Sequence, residues 1–379
     1  MKVIWKFIRG FFKWSSYLLL LITTVIVIFI NTSPEFGGDP TEDDIKKYRA
    51  TGHYIDGEFK NYQLTKMEFS FNQIVEVVGD YFDDSVNNMP RIPLLIIKQD
   101  SLFLEQTKQE SKLIWFGHSA FLLQLDGKNI LLDPMFGEVP APVDLVGQQR
   151  FFKDLPLAIE KLPKIDYVFI SHDHYDHLDF ESIELLKSKT KQFILPIGVG
   201  THFRKWGIEE SKIQEYNWWD EDSIDGLSFV FTPSQHFSGR GPLNKNSTLW
   251  GSWVIKGKDH RVFFSGDGGY DNHFKEIGEK FGPFDIAMVE CGQYNKHWKQ
   301  IHMTPEESAL AVKDLQAKIG IPIHWGSFTL SIHDWNEPPV RIKIAADSLG
   351  VKIVTPLIGE TMYLDSITVG YNPWWEGFI

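Results

Sequence analysis

A single cysteine, Cys291, occurs in 379 residues, so no internal disulfide can form and the fold must be held by its core. Basic residues are also scarce: 38 Lys and Arg stand against 50 Asp and Glu, a formal charge of −12. The shortage deepens along the chain. Lys2, Lys6, Arg9 and Lys13 fall in the first 30 residues with no acid among them, leaving 34 bases against all 50 acids in the remainder. A body that acidic is excluded as a general nucleic-acid binder, which neutralises phosphates with Lys and Arg. Repeats of solenoid period and low-complexity tracts are missing too, which excludes repeat and disordered architectures. Aromatics are plentiful at 14%, as an ordered globular body requires, and the length suffices for one large domain or two average ones.

Residues 17–30 carry no charge, and Trp14, Ser15 and Ser16 extend the run to 17 residues, the lower edge of what spans a bilayer. Small residues of the Ala-x-Ala kind are lacking where this run ends, at Phe29-Ile30-Asn31-Thr32-Ser33, so an uncleaved signal anchor is favoured over a cleaved signal or a buried helix. Four bases precede the run, and the next, Lys46, lies well beyond it. That asymmetry places the N-terminus in the cytoplasm and the acidic body across the membrane, as in a bacterial inner-membrane protein facing the periplasm or exterior. Trp5, Phe7, Phe11, Phe12 and Trp14, interleaved with the charges, suit the headgroup layer.

The expected organisation is a basic and membrane-spanning segment at 1–32, a linker and N-terminal extension at 33–111, and a catalytic domain at 112–379. Pro34, Gly37, Gly38 and Pro40 mark the linker, and an amphipathic helix is expected over 69–82. From residue 112 short apolar runs follow one another: 113–116, 121–125, 129–132, 167–170, 192–196, 227–231, 250–255, 262–264 and 286–289. Asp126-Gly127 reads as a hairpin turn. Helical periodicity appears at 181–189 and at 305–318, the latter opened by Thr304-Pro305-Glu306-Glu307. Strands alternating with helices in one continuous body indicate an α/β domain.

The most informative stretch is Ser171-His172-Asp173-His174-Tyr175-Asp176-His177-Leu178-Asp179, directly after an apolar run. Imidazoles with carboxylates form a ligand set for a borderline-soft divalent ion, zinc first, with iron and manganese not excluded. His172 and His174 project to one side of an extended segment; a turn into helix would aim Asp176 and His177 elsewhere. Two ligand pairs with different aims suit two adjacent ions. His236, Asp267 and His324 each follow a predicted strand. Singly, a histidine at a strand end is more often structural, and Asp before Gly-Gly is often only a turn former.

Taken in chain order, His172-x-His174-x-Asp176-His177, His236, Asp267 and His324 resemble the motif series of the metallo-β-lactamase superfamily over about residues 112–360. The resemblance implies a four-layered αβ/βα sandwich with a dinuclear site between two sheets. It implies that His172, His174 and His236 hold one ion, that Asp176, His177 and His324 hold the other, that Asp267 bridges them, and that Asp133 is a structural neighbour. Ile114-Trp115-Phe116-Gly117-His118-Ser119, Thr232-Pro233-Ser234-Gln235-His236-Phe237-Ser238-Gly239-Arg240, His302-Met303-Thr304-Pro305 and Ile323-His324-Trp325-Gly326 are similar to the N-acyl-phosphatidylethanolamine-hydrolysing phospholipase D group. A related branch, the L-ascorbate phosphate lactonases, shares the Gly-His-Ser motif. The extension and the membrane segment are not part of the superfamily core.

The expectation is therefore a membrane-anchored phosphodiesterase acting on phospholipid, with a lactonase or amidase of the same fold as the alternative. A non-enzymatic tethered metal protein is disfavoured, because every ligand position is filled. Two ions about 3.5–4 Å apart share a water and lower its pKa toward neutral. Asp267 would orient that nucleophile. His302 is a candidate proton donor or phosphate contact, or else a surface residue. His118 is a candidate for orienting a ligand rather than binding metal. Arg240 could meet a phosphate or form a structural ion pair. Trp218, Trp219, Trp298, Trp325, Trp374 and Trp375 are either core or the wall of an apolar groove. Partners implied are the phospholipid and the bilayer; a homo-oligomer stays open.

Overall fold

The computed structural model describes residues 2–65, 73, 76–77, 79–80, 86–144, 147–367 and 372–378. The helix expected over 69–82 lies mostly outside the described residues. Two sheets form the centre. Apart from them, β1 (Tyr54–Ile55) pairs with β2 (Glu58–Phe59); one central sheet has seven strands and the other six. In the first, β3 (Lys112–Trp115), β4 (Phe121–Leu125) and β5 (Lys128–Leu132) form an antiparallel meander with β15 (Thr361–Tyr363) at its edge. Parallel strands β6 (Ile165–Phe169), β7 (Thr190–Pro196) and β8 (Ile213–Tyr216) continue it. In the second, β9 (Glu221–Ile224), β10 (Leu227–Thr232), β11 (Ser252–Lys256) and β12 (Arg261–Phe264) run antiparallel, and β13 (Ile286–Glu290) and β14 (Ile319–Ile323) add in parallel.

Strand alternation explains the layering. Leu113, Trp115, Phe121 and Leu123 join Phe229, Phe231, Trp253 and Phe264 in a core between the sheets. Their neighbours Ile114 and Leu122 face the other way, toward a cluster with Ile183 and Phe203 from helices Phe180–Leu186 and Gly200–Lys205. Phe263, Ala287 and Val289 likewise pack on helices His273–Phe281, Pro305–Asp314 and Glu337–Leu349. Each sheet is thus apolar on both faces, as sheets covered on both sides must be. The result is the expected helix, sheet, sheet, helix order. Trp218, Trp325 and Trp375 belong to the core between the sheets, not to a groove wall.

Local signals account for most boundaries. Asp126 and Gly127 have φ of 50° and 71°, so the two-residue turn takes the primed form that matches strand twist. Thr304 and Glu307 form a reciprocal capping box with Pro305 at the first helical position. The helix expected to run to 318 stops at Asp314, because Gln316 turns left-handed (φ 56°) and the chain re-enters as β14.

The apolar N-terminus is a helix, Lys2–Thr32, whose 29-residue portion Ile4–Thr32 is long and apolar enough to cross a membrane and is not buried in the protein. The stretch after it does not hang free. Gly37 has φ 70°, and a Cβ there would come 2.1 Å from the ring of His202. Gly38 donates its N–H to His202 Nδ1 at 3.0 Å, and Trp206 Nε1 donates to Pro34 O at 2.9 Å. What composition marks as a linker is docked on the first helical layer.

Candidate metal centre

The ligand-type side chains converge where strands end. Asp133 follows β5, the loop 171–179 follows β6, His236 follows β10, Asp267 follows β12, Glu290 closes β13 and His324 follows β14. Carboxyl ends of parallel strands are where open α/β sheets place ligands, since the chain must leave the sheet there and its loops are free to converge. Two of these junctions, Asp133 and His324, need uncommon backbone with φ of 37° and 68°, and so does His118 between β3 and β4 with φ of 51°. Non-glycine residues in that region cost energy that the surroundings must hold in place. Packing supplies the hold. Trp115 Nε1 donates to His118 O at 2.9 Å, and His324 N donates to the same carbonyl at 3.2 Å.

Two groups that could each hold a cation are His172, His174 and His236, and His118, Asp176, His177 and His324; Asp267 joins Glu290, His302 and His324 in a third that shares His324. In the first, His174 Nδ1 lies 3.0 Å from His172 Nε2 and 3.2 Å from His236 Nε2. His172 has its other nitrogen 2.9 Å from Ser171 Oγ, and His236 has Nδ1 2.9 Å from Ile301 O. A ring N–H donated to each of those oxygens leaves the inward Nε2 as a bare lone pair. Lone pairs converging at such distances repel unless a cation sits among them, and the spacing is close to a tetrahedral zinc edge, about 3.3 Å for Zn–N bonds of about 2.0–2.1 Å. In the second group, Asp176 Oδ2 lies 3.0 Å from His118 Nε2, 3.1 Å from His324 Nε2 and 3.5 Å from His177 Nε2. Asp267 spans the gap: Oδ1 is 3.1 Å from His177 Nε2, and Oδ2 is 3.0 Å from His324 Nε2 and 3.9 Å from both His172 and His236.

His177 Nε2 and Asp267 Oδ1 are buried without a hydrogen-bond partner. Orphaned buried ligand atoms facing one another fit a divalent cation. Electrostatics agree. Burial first, then neighbouring imidazoles, holds His172 well below the ordinary imidazole range, and burial and His174 do the same to His236. Burial works against charge on His177 too, but Asp267 and Asp176 outweigh it and raise that imidazole to about 10. His324 is raised for the same reason, Asp267 again the leading carboxylate. Burial would raise Asp176 and Asp267, yet His177 and its neighbours hold both well below the carboxylate range. Protons on His177 and His324 thus stand where cations would balance the carboxylates.

All seven residues expected as ligands meet in this space. Asp133 lies behind it, accepting from His177 Nδ1 at 2.7 Å and from Ser171 N at 2.7 Å. His118 lies nearer than an orienting role requires, within the second group. His302 is beside the centre, its Nδ1 in short contact with Glu290 Oε1 and its ring stacked on His324 with centroids 5.3 Å apart. Arg240 is elsewhere. It is 1% exposed, with Nη1 donating to Asp173 O (2.7 Å) and Leu178 O (2.6 Å) and Nε to Glu35 O (2.7 Å). Of its two readings, phosphate contact or structural ion pair, this placement fits the structural one: Nη2 lies 3.9 Å from Glu35 Oε2, and the other nitrogens hold carbonyls behind the histidine-rich loop.

Three participants are absent from the sequence reading. Glu290, fully buried, also accepts from Gly268 N at 2.8 Å; the available signal was an acid ending the apolar run 286–289. Asn61 grips the backbone of His236 on both sides, Nδ2 donating to its carbonyl at 2.7 Å and Oδ1 accepting its N–H at 3.2 Å. Asp173 pairs with His202 at 3.1 Å and accepts from Gly239 N at 2.7 Å, tying the docked segment to the metal loop. Asn61 carries no local signal, whereas Asp173 lies inside the histidine-rich stretch without a role of its own in the sequence reading.

Comparison with known proteins agrees with this geometry. The model of the beta-lactamase superfamily domain matches residues 128–325. An uncharacterized protein of Mycobacterium tuberculosis is 42% identical over 266 residues, 69% of this chain and 71% of the relative. The N-acyl-phosphatidylethanolamine-hydrolyzing phospholipase D 1 of Caenorhabditis elegans is 32% identical over 247 residues, 62% of this chain and 69% of the relative. The isothiocyanate hydrolase from Delia radicum gut bacteria shares the fold at a TM-score of 0.53 and 24% identity, over 66% of this chain and 98% of that one. With the family match covering half the chain and both sheets and strand-end ligands in place, the protein belongs to the metallo-β-lactamase superfamily of metal-dependent hydrolases.

Proposed function

We propose that the protein is a membrane-anchored phosphodiesterase of the phospholipase D type, acting on N-acyl phosphatidylethanolamine or a related phospholipid with two divalent cations, zinc by preference. In this reading residues 1–32 are the anchor, the N-terminus is cytoplasmic, and 112–379 form the catalytic domain on the far side. The observation that carries the reading is the Asp267 carboxylate, one oxygen facing His177 and the other facing His324, between two ligand groups. The named Caenorhabditis elegans relative supports the substrate class.

Cations held by His172, His174 and His236 and by Asp176, His177 and His324 would acidify a water and offset charge developing on the phosphoryl oxygens. The remaining steps belong to side chains. Asp267 orients the attacking oxygen from between the two groups. Glu290 accepts from His302 Nδ1–H, fixing the ring so that Nε2 can hold a proton and pass it to the departing alcohol oxygen. Asp133 fixes the tautomer of His177, and Ser171 that of His172.

Purified full-length protein should release phosphatidic acid and N-acylethanolamine from N-acyl phosphatidylethanolamine vesicles, and cleave bis(p-nitrophenyl) phosphate slowly. Untouched vesicles with a panel of lactones opened would replace this reading by the carbon-centred alternative.

A further inference from the structure

The two most exposed large apolar side chains among the described residues are not in the membrane helix. They are Leu243, 95% exposed, and Leu64, 81% exposed. Leu64 lines a cavity of about 560 Å³, and Leu243 lies two residues before Lys245, which lines it too. The cavity runs between residues 58–65 and the loop after His236. Phe59, Phe237 and Trp250 give it apolar walls, Lys245 and the Lys60–Glu58 ion pair (2.8 Å) give it charged edges, and the metal-group residue His236 lines it too. Soluble surfaces leave isolated apolar side chains exposed, but two of this degree, one lining a cavity that His236 also lines and one two residues from its lining Lys245, mark an interaction surface.

The chain also fixes what this rim faces. The membrane helix ends at Thr32, and Phe29 in its last turn packs edge-on against Phe36, centroids 5.5 Å apart. The ring of Phe36 in turn meets Gly241, where an added Cβ would come 3.3 Å from it. Arg240, next to that glycine, holds Glu35 O through Nε, and Lys205 Nζ holds Gly37 O at 2.6 Å. The loop 239–247 is therefore bolted to the first residues beyond the membrane helix. A headgroup layer is about 5–7 Å deep. A loop in contact with the end of a helix that spans the bilayer lies close to that layer.

We propose that the loop 239–247, with Leu243 at its tip, is a second membrane contact that opens the His236 cavity directly onto the phospholipid surface. Leu243 and Leu64 enter the headgroup–acyl boundary, and Lys60 and Lys245 meet lipid phosphates, in the way interfacial segments combine apolar and basic side chains. A phospholipid then reaches the centre along the cavity without leaving the bilayer for water. This inference rests on the proposed membrane anchor for its geometry and on the proposed lipid-hydrolase reading for its purpose.

The full-length protein is reconstituted into vesicles of phosphatidylethanolamine and phosphatidylglycerol, with Leu243→Cys carrying a polarity-sensitive fluorophore; the native Cys291 is buried and should not label. Lipids bearing a headgroup-level nitroxide should quench the label at 243 several-fold more than a label at Ile344→Cys, an exposed site on helix Glu337–Leu349. Equal quenching at the two positions overturns the contact. In parallel, Leu243→Asp should lower vesicle turnover at least tenfold while metal content and bis(p-nitrophenyl) phosphate turnover hold; unchanged vesicle turnover overturns the access route. A quenched label in a protein that cleaves no phospholipid sustains the contact and sinks the lipase reading instead.

Discussion

The two halves of the metal centre draw on the same residue types and hold them in opposite charge states. Around His172, His174 and His236, burial leads and every imidazole lies below its ordinary range. Around His177 and His324, the carboxylates of Asp176 and Asp267 win and both imidazoles lie above it, although burial and the neighbouring His324 hold His118 of the same group down to about 4. The first half is neutral and ready to ligate at neutral pH. The second must give up protons first, so cation and proton compete for one space. Composition of a site does not fix its chemistry; the position of the carboxylates does.

Removing the shared carboxylate should have the largest effect. Asp267→Asn should lower phosphodiester turnover on the order of 10³-fold, because it disarms both halves and the nucleophile between them. Metal analysis of the variant should show both ions weakened. Next come the single ligands. His236→Ala should cost the ion of the neutral half and His324→Ala that of the charged half, each leaving one bound ion per chain by mass spectrometry. If either change strips both ions, the halves are one cooperative site and the comparison fails.

How legible all this was in the sequence depends on whether a residue's role is local. The strands and the 171–179 cluster were readable because strand periodicity and ligand chemistry are written in adjacent residues. Asp267 and His324 became readable only in series, since each alone is an ordinary turn or strand-end residue. Glu290 was not, because an acid closing an apolar strand looks the same whether it meets solvent or His302. Arg240 shows the same limit: its charge allowed a phosphate contact or a structural ion pair, and the choice is set by Glu35, some two hundred residues upstream. Asn61 lies in an extension outside the matched family region, so nothing near it announces His236.

Smaller perturbations sharpen the contrast between the halves. Asp133→Asn replaces one of two accepting carboxylate oxygens by an NH2 and removes the charge that holds His177 Nδ1–H, so it should weaken metal binding in the charged half by roughly 10–100-fold, leaving the other half intact. The pH dependence has a definite sign. In the metal-free protein the raised His177 contributes stability that is complete below its unfolded value of about 6.5 and lost as pH rises toward about 10. Metal affinity of the charged half should rise across that window, and calorimetry in buffers of different ionisation enthalpy should show proton release on its loading only. Asn61→Ala should have the smallest effect. Losing its two bonds to His236 should cost about 1–2 kcal/mol in thermal unfolding and loosen metal only in the neutral half.

The central claim is that two cations flank Asp267. Anomalous diffraction from crystals of the zinc-loaded protein tests it most directly. The account predicts two peaks about 3.5–4 Å apart, one among His172, His174 and His236 and one among Asp176, His177 and His324, with a carboxylate oxygen of Asp267 on each. A single peak, or two that do not share Asp267, would contradict it.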